Sequence, residues 1–187
     1  MSTLNLLSIL IILVSATNAQ TNDQNSWAKR DKRGNEVTTT LQFYFHDKSG
    51  GPNPTSVRIA QAAQTNNSST FFGALVMIDD ALTIGPDPLS KNVGRARGLY
   101  GSAGLTEFSL IMAVSYVFTD GIYDGSSFSL LSINEETKSP REMAVVGGTG
   151  LFRLARGYVI ARTYAANSTE GAIVGYNVTL YTKTMYQ

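Results

Sequence analysis

Three polar side chains lie at the ends of rows of alternating apolar residues, where β-strands would place them inside a barrel. Asp47 ends the row Leu41, Phe43, Phe45; Arg141 opens the row Met143, Val145; and Tyr100 follows the small residues Ala96 and Gly98. A carboxyl group in apolar surroundings has a raised pKa and can act as an acid, unless a nearby arginine keeps it ionised. Such a pocket suits a phenol. A structural ion pair among core tyrosines explains the same residues equally well.

Other kinds of catalytic site find little support. A metal site would have to use one histidine, no cysteine and a single adjacent carboxylate pair, Asp79-Asp80. A Ser-His-Asp triad would require His46, which no nucleophile-elbow sequence accompanies. Residues 147–150 (GGTG) favour a turn over a phosphate-binding loop, because Arg153 stands where a dinucleotide fingerprint needs glycine. We therefore expect neither a metal nor a cofactor.

β-Strands are the elements that must position these side chains. Runs rich in Val, Ile, Phe, Tyr and Thr predict eight or nine strands, over residues 39–47, 55–63, 71–79, 93–100, 106–119, 126–133, 141–146, 153–164 and 172–182. This pattern predicts an all-β sandwich or barrel. Seventeen glycines and five prolines favour the barrel, because Gly relieves strain at bends whereas Pro removes ladder hydrogen bonds.

Alternation assigns faces to the predicted strands. In the first strand, Leu41, Phe43, Phe45 and Asp47 share one face. In the last strand, Asn177 faces away from an inward row made up of Val174, Tyr176, Val178 and Leu180. In the strand over 106–119 both faces carry apolar residues, so we expect its outer face to be covered by a second subunit or by a loop.

The N-terminal residues predict that the protein is secreted. Residues 4–14 are almost unbroken in apolar side chains, and small residues at Thr17 and Ala19 suit cleavage of a signal peptide, residues 1–19. This apolar run is too short to cross a membrane as a helix, which takes roughly 20 residues, and no other stretch comes close. Residues 20–38 are polar and charged, which predicts a flexible arm. Residues 39–187 are predicted to form one domain.

Composition limits the partners further. A net charge of +1 without a basic stripe argues against nucleic acid. Without cysteine, disulfides cannot stabilise the chain even in an oxidising compartment. Glycosylation sequons at the overlapping pair Asn66 and Asn67, at Asn167 and at Asn177 support a secreted protein.

Five ordered motifs stand between about Leu41 and Tyr181. They are residues 43–47 (FYFHD), 53–55 (NPT), 79–83 (DDALT), 94–100 (GRARGLY) and 141–157 (REMAVVGGTGLFRLARG). Together they resemble plant dirigent proteins. The resemblance implies an eight-stranded antiparallel β-barrel that forms a homotrimer, with one phenolic pocket in each barrel.

The resemblance also implies two possible activities, both of which pass through a quinone methide. Some family members guide the coupling of monolignol radicals to lignans with a separate oxidase; others, the pterocarpan synthases, dehydrate an isoflavan-4-ol and close a ring. Lignan-forming members carry cysteines and an acidic residue seven positions before the arginine that matches Arg141. This chain has Asn134 there and no cysteine, which favours the pterocarpan type. A binding or defence protein without turnover is a third interpretation.

By motif, the resemblance assigns roles to single residues. Asp47 would protonate the departing C4 hydroxyl, Arg141 and Tyr100 would bind developing phenolate charge, and Thr163 would orient the substrate. The remaining predicted substrate contacts are Asn134, Phe45 and Asp80.

Overall fold

A computed structural model describes residues 26–167 and 169–183. The predicted signal peptide, residues 1–19, lies outside the described residues, as do residues 20–25 of the predicted arm. In the described part, no helix is long and apolar enough to cross a membrane.

Ten strands build the described chain. They are β1 (Ala28–Arg33), β2 (Glu36–Asp47), β3 (Ser56–Ala60), β4 (Leu75–Thr83), β5 (Asn92–Ser102), β6 (Leu110–Phe118), β7 (Ser127–Asn134), β8 (Arg141–Thr149), β9 (Arg156–Asn167) and β10 (Gly171–Lys183). Three single-turn 3₁₀ helices, Thr65–Asn67, Gly121–Tyr123 and Gly150–Phe152, lie between them. Each of the nine predicted strands corresponds to one of β2–β10, with ends displaced by a few residues.

The sheet closes on itself as an eight-stranded antiparallel barrel, which confirms the predicted fold. Its strand order is β2-β10-β9-β8-β7-β6-β5-β4, and pairing of β2 with β4 closes the ring. This seam is short, since it pairs only Tyr44 with Thr83, Phe45 with Leu82 and His46 with Ala81. β1 continues the same edge of β2, and β3 continues the same edge of β4.

The prediction of a flexible arm over residues 20–38 is wrong for residues 28–38. β1 pairs with β2 from Ala28 to Arg33, although its side chains from Lys29 onwards are exposed. The anchor is the preceding Trp27, which is buried, stacks on Phe118 at 5.2 Å and donates its Nε1–H to Asp120 Oδ2 at 3.2 Å. One buried indole and backbone pairing therefore hold a strand whose composition alone predicts disorder.

Alternation places the core as predicted. Leu41, Phe43 and Phe45 of β2 are buried, and so is the β10 row Val174, Tyr176, Val178, Leu180, while Asn177 is exposed. Aromatic rings fill the barrel: Phe43 stacks on Tyr176 at 5.5 Å, and Tyr116 stacks on Phe128 at 4.7 Å. Trp27 and Phe118 close the end at which β2 begins. The end at which β2 finishes is more polar.

Outside the barrel, an apolar band crosses five strands. Register aligns one row from β3 to β7, Val57, Met77, Leu99, Ala113, Leu131, and a parallel row, Leu75, Gly101, Ile111, Ile133. Val57 is 52% exposed and Leu131 56% exposed, whereas Ile111, Ala113 and Val117 on the outer face of β6 are partly buried. Both predicted coverings of this face, a second subunit and a loop, therefore stay predictions.

Candidate active site

Most of the predicted site residues meet at the open end of the barrel. Asp47 ends β2, Asn134 ends β7, and Arg141 begins β8. Tyr100 lies near the end of β5, and Thr163 lies on β9 beyond Ala161, the partner of Arg141. Neighbouring strands run antiparallel, so the ends of β2, β5, β7 and β9 lie beside the beginnings of β4, β6, β8 and β10. All eight therefore surround this open end, the mouth of the barrel.

Asp47 is a partly buried carboxyl group held by two hydroxyls. Tyr100 donates its O–H to Asp47 Oδ2 at 3.1 Å, and the Ser56 hydroxyl donates to Oδ1. Burial raises the pKa of Asp47, while the hydrogen bonds from Ser56 and Tyr100 oppose that rise. A carboxyl whose pKa is raised in this way retains its proton to higher pH, which suits a general acid.

Tyr100 owes its place to a glycine on the same strand. Gly98 has φ of +150°, and a Cβ there would collide with the Ala113 carbonyl oxygen, so β5 and β6 approach each other closely only because this position has no side chain. Burial, followed by the neighbouring Asp47, raises the pKa of Tyr100. Tyr100 therefore stays a neutral hydrogen-bond donor to Asp47 throughout the ordinary pH range.

Asp80 is a second carboxyl, deeper in the barrel. It is fully buried on β4, its Oδ1 accepts a hydrogen bond from the Thr55 hydroxyl, and its Oδ2 has no hydrogen-bond partner among the described residues. Burial is the main cause that raises the pKa of Asp80 to about 7, and Asp47 nearby adds to the rise. Thr55 and Ser56, adjacent in sequence, thus hold the two acidic groups side by side.

Arg141 is buried, and it contacts Thr163 rather than Asp47. Its Nη1 donates to Thr163 Oγ1 at 2.9 Å, while its Nε has no hydrogen-bond partner within the described chain. No ion pair joins Arg141 to Asp47 in residues 26–167 and 169–183. The structural ion pair considered from the sequence is therefore wrong, and an N–H donor is left without a partner.

The other predicted contacts lie at different depths. Asn134 is buried and its Oδ1 has no hydrogen-bond partner in the part of the chain described. Phe45 is packed into the core, 5.7 Å from the ring of Tyr176. Tyr176, which sequence alternation places inside but which is not singled out as a site residue, accepts a hydrogen bond from Tyr116 at 3.1 Å. Burial raises the pKa of Tyr176 to about 12.

Two clefts adjoin Asp47 and its hydroxyl partners. One, of about 530 Å³, is lined by Asp47 together with Lys48, Glu170 and apolar residues such as Ile173. The other, of about 280 Å³, is lined by Ser56 and Tyr100, by Arg58 and by apolar side chains. Arg141 and Asn134 line neither of these clefts.

Sequence reasoning missed three polar residues of the mouth. Thr55 and Ser56 follow the Asn53-Pro54 turn, and nothing in the local pattern says that their hydroxyls reach β2 and β4. Glu136 lies in the loop between β7 and β8, where burial raises its pKa and Arg141 opposes the rise. Thr55 and Glu136 lie in loops, which follow no alternation, and Ser56 is the first residue of β3, so only the folded chain shows what these side chains contact.

Comparison with known proteins is consistent with this geometry. The family model described as Dirigent-like protein matches residues 38–181. The chain is 51% identical to Dirigent protein 23 of Arabidopsis thaliana, over 92% of this chain and 93% of that one. It is 44% identical to Pterocarpan synthase 1 of Glycine max, over 92% and 91% of the two chains. A solved pterocarpan synthase dirigent protein superposes with a TM-score of 0.74 at 40% identity, over 82% of this chain and 94% of its own.

Proposed function

The chain belongs to the dirigent family, and we propose that it dehydrates an isoflavan-4-ol and closes the ring to a pterocarpan. The observation that carries this proposal is Asp47, a carboxyl with a raised pKa that lies at the barrel mouth and lines a cleft. Loss of a hydroxyl from carbon requires a proton donor, and a protonated carboxylic acid supplies one. Similarity to pterocarpan synthases supports the same chemistry.

Each polar group of the mouth has its own role in this reaction. Asp47 protonates the C4 hydroxyl, which leaves as water, and the resulting Asp47 carboxylate keeps the hydrogen bond from Tyr100. The Arg141 Nε–H, which lacks a partner among the described residues, binds the oxygen on which negative charge develops. Thr163 positions the Arg141 guanidinium through their 2.9 Å hydrogen bond. Asn134, which is also buried, offers its Oδ1, which lacks a partner among the described residues, to a hydroxyl of the substrate.

The decisive test is incubation of the purified protein with a racemic isoflavan-4-ol. We expect a chiral pterocarpan to form with no added oxidant. Product should accumulate at least about a hundredfold faster than in buffer, since positioned acid catalysis is typically worth about 10²–10⁴-fold. Formation at the rate of the buffer blank would remove this proposal.

A second candidate function is supported by the 51% identity to Dirigent protein 23, which is not named as a synthase. In this alternative the barrel performs no chemistry and biases the coupling of monolignol radicals made by an external oxidase. The same mouth would then bind phenols without transferring a proton. Optically active lignan in an oxidase assay, together with an untouched isoflavanol, would favour this alternative.

We further propose that the apolar band outside the barrel is the contact surface of a homotrimer. Supporting this, the row Val57, Met77, Leu99, Ala113, Leu131 is continuous in register and carries no charge. A water-exposed apolar row of this length is unusual for a free monomer. Removing it from solvent is favourable at about 25 cal/mol per Å².

Leu131→Lys should therefore convert the trimer to a monomer, because a lysine ammonium buried in an apolar contact without a partner costs more than association can offset. Gln42→Lys places the same charge on the exposed outer side of β2 and serves as control. Light scattering coupled to size exclusion measures both. A monomeric wild type, or a trimeric Leu131→Lys, would contradict the assignment.

The chain is also proposed to be a secreted apoplastic glycoprotein. Asn67, Asn167 and Asn177 are all exposed, which leaves them accessible to a glycan. Mass spectrometry of the protein purified from plant tissue would identify the mature N-terminus and the modified asparagines. We expect the mature chain to begin at Gln20.

A further inference from the structure

The smaller of the two clefts beside Asp47 extends from the hydroxyl partners of that carboxyl to Arg58. Its volume is about 280 Å³, and Ser56, Tyr100 and Arg58 all line it. The strand register pairs Arg58 of β3 with Val76 of β4, and Val76 with Tyr100 of β5. Neighbouring strands lie about 4.8 Å apart, so the backbones of Arg58 and Tyr100 are separated by about 10 Å across the cleft. A single substituted aromatic ring fits this width.

Arg58 is a cation without a carboxylate partner at the outer end of the cleft. It is exposed and forms no ion pair among the residues that the structure describes. Its Nη1 donates to Gln61 Oε1 at 3.1 Å, and its guanidinium lies over the Phe71 ring, 5.6 Å from the centroid. A guanidinium carries several N–H donors in one plane, and stacking on a ring leaves that plane accessible. Arg58 can therefore donate to an oxygen at the rim of the cleft.

Phe71 is an aromatic wall of the same cleft, and its backbone conformation is unusual. Its φ is +54°, in the left-handed region that bulky residues rarely adopt. The turn fixes this conformation, since the Phe71 N–H donates to the Ser68 carbonyl at 3.2 Å and the Phe71 carbonyl accepts from the Ala74 N–H at 3.0 Å. The residue is nevertheless 48% exposed, so core packing does not explain the strain. Backbone strain of this kind is concentrated at ligand-binding sites.

The cleft corresponds to one of the two aromatic rings of the proposed substrate. In the proposed reaction, Arg141 binds the oxygen on which negative charge develops, and this oxygen belongs to the ring fused beside C4. Arg141 does not line the cleft, so the fused ring lies elsewhere in the mouth. The other ring is carried on C3 and bears the attacking hydroxyl, so it must lie beside C4 and hence beside Asp47. The cleft bordered by Ser56 and Tyr100, the two partners of Asp47, meets this requirement.

Resting on the proposed function, we propose that this cleft binds the aryl ring carried on C3, with Phe71 stacked on the face of the ring and Arg58 donating to an oxygen substituent at its outer edge. Tyr100 borders the inner end, where the attacking hydroxyl faces C4. Phe71 and Arg58 take no part in bond breaking or proton transfer. They determine which substrates bind, and they favour an aryl ring that carries oxygen opposite its bond to C3, at the 4′ position.

Binding of unreactive ligands tests the role of Arg58 without any turnover. Isoflavans that lack the C4 hydroxyl cannot dehydrate, so calorimetry can compare one that has a 4′-hydroxyl with one that has hydrogen there. Wild type should bind the hydroxylated ligand about tenfold more tightly, as expected for a hydrogen bond from a charged donor. Arg58→Met should lose this preference, because methionine keeps much of the length but has no N–H donor.

Arg97→Met is the matched control, because Arg97 pairs with Asp79 outside the barrel, where Arg95 continues to hold the same carboxylate. It should keep the preference of wild type. An equal preference in wild type and Arg58→Met, or no preference in wild type, would overturn the assignment of Arg58.

Phe71→Asn should weaken the binding of both ligands about fivefold to tenfold, because the stacking surface is lost. Asparagine tolerates a positive φ, so the melting temperature should stay close to that of wild type. Phe72→Asn is the control: Phe72 is next in sequence and 39% exposed, and it lines a different cleft with Leu105. Its affinities should stay within about twofold of wild type. Unchanged affinities in Phe71→Asn, or equal losses in the two variants, would overturn the assignment of Phe71.

Turnover separates this inference from the function on which it rests. Arg58→Met should raise KM for a 4′-hydroxylated isoflavan-4-ol about tenfold and leave kcat within about twofold of wild type, since Arg58 binds the substrate away from the reacting atoms. A loss confined to kcat would contradict a binding role. If wild type turns over no isoflavanol, the proposed function falls, and the ligand preferences still decide whether the cleft binds the aryl ring.

Discussion

Asp47→Asn should lower turnover of isoflavan-4-ol at least about a hundredfold while the barrel stays folded. Asparagine keeps the size, and its amide oxygen accepts the hydrogen bond from one of the two hydroxyls, Ser56 or Tyr100, while its amide N–H donates to the oxygen of the other. It has no proton that it can transfer to the leaving group. Loss of a general acid is typically worth about 10²–10⁴-fold, or roughly 3–5 kcal/mol of barrier. We expect the loss in kcat and little change in KM, because the variant retains the shape of the clefts.

The melting temperature, measured on the same preparation, separates a catalytic from a structural role. The neutral amide removes a carboxyl that is costly to ionise in its buried site, so we expect the variant to melt no lower than wild type. A large fall in melting temperature with near-normal turnover per folded molecule would rule out Asp47 as the acid.

Ser56→Ala tests the same carboxyl through the pH dependence of turnover. The Ser56 hydrogen bond lowers the pKa of Asp47, so its removal lets burial raise that pKa further. Because the reaction needs protonated Asp47, its rate falls as pH rises through this pKa. The descending limb of the pH–rate profile should therefore move to higher pH in Ser56→Ala, with the maximal rate largely kept. A limb that stays in place would mean that another group sets it.

The sequence is a good guide wherever strand alternation decides the structure. The row Leu41, Phe43, Phe45 puts Asp47 on the inner face of β2, and the motif positions bring Tyr100, Arg141 and Thr163 to the same end of the barrel. Because side chains alternate with a period of two, the sequence of one strand shows which of its side chains point inward, whatever strands lie beside it. The all-β class and the inward rows follow from this alternation, whereas the choice of a barrel over a sandwich also needs the glycine content and the family resemblance.

Strand alternation does not predict contacts made by loop residues or by a single buried side chain such as Trp27. β1 is charged along its exposed length, and its order comes from Trp27 and from backbone pairing, which composition does not reveal. The sequence also favoured neither a catalytic pocket nor an ion pair for Asp47 and Arg141. Alternation shows which face of a strand a side chain lies on, but it does not give the distance between two side chains on different strands. Thr55 and Glu136 reach the mouth from loops whose paths depend on the closed barrel.

Asp80→Asn should raise stability at pH 8 and change it little at pH 4. Burial raises the pKa of Asp80 to about 7, from an ordinary 3.8, so the folded chain holds a proton there that the unfolded chain has released. Between these two values the unfolded state binds fewer protons, and the free energy of unfolding of wild type falls as pH rises. At 1.36 kcal/mol for each pKa unit, the loss approaches about 4 kcal/mol above pH 7.

The variant escapes this loss because its amide is neutral at every pH and still accepts the Thr55 hydrogen bond at Oδ1. Asp79→Asn is the control: Asp79 is next in sequence, 54% exposed and paired outside the barrel with Arg95 and Arg97, so its loss should change stability by less than about 1 kcal/mol at either pH. Urea unfolding of the three proteins at pH 4, 6 and 8 measures the differences. Parallel stability curves for wild type and Asp80→Asn would mean that Asp80 is ionised when folded. Loss of turnover in Asp80→Asn with normal turnover in Asp47→Asn would instead move the acid from Asp47 to the deeper carboxyl.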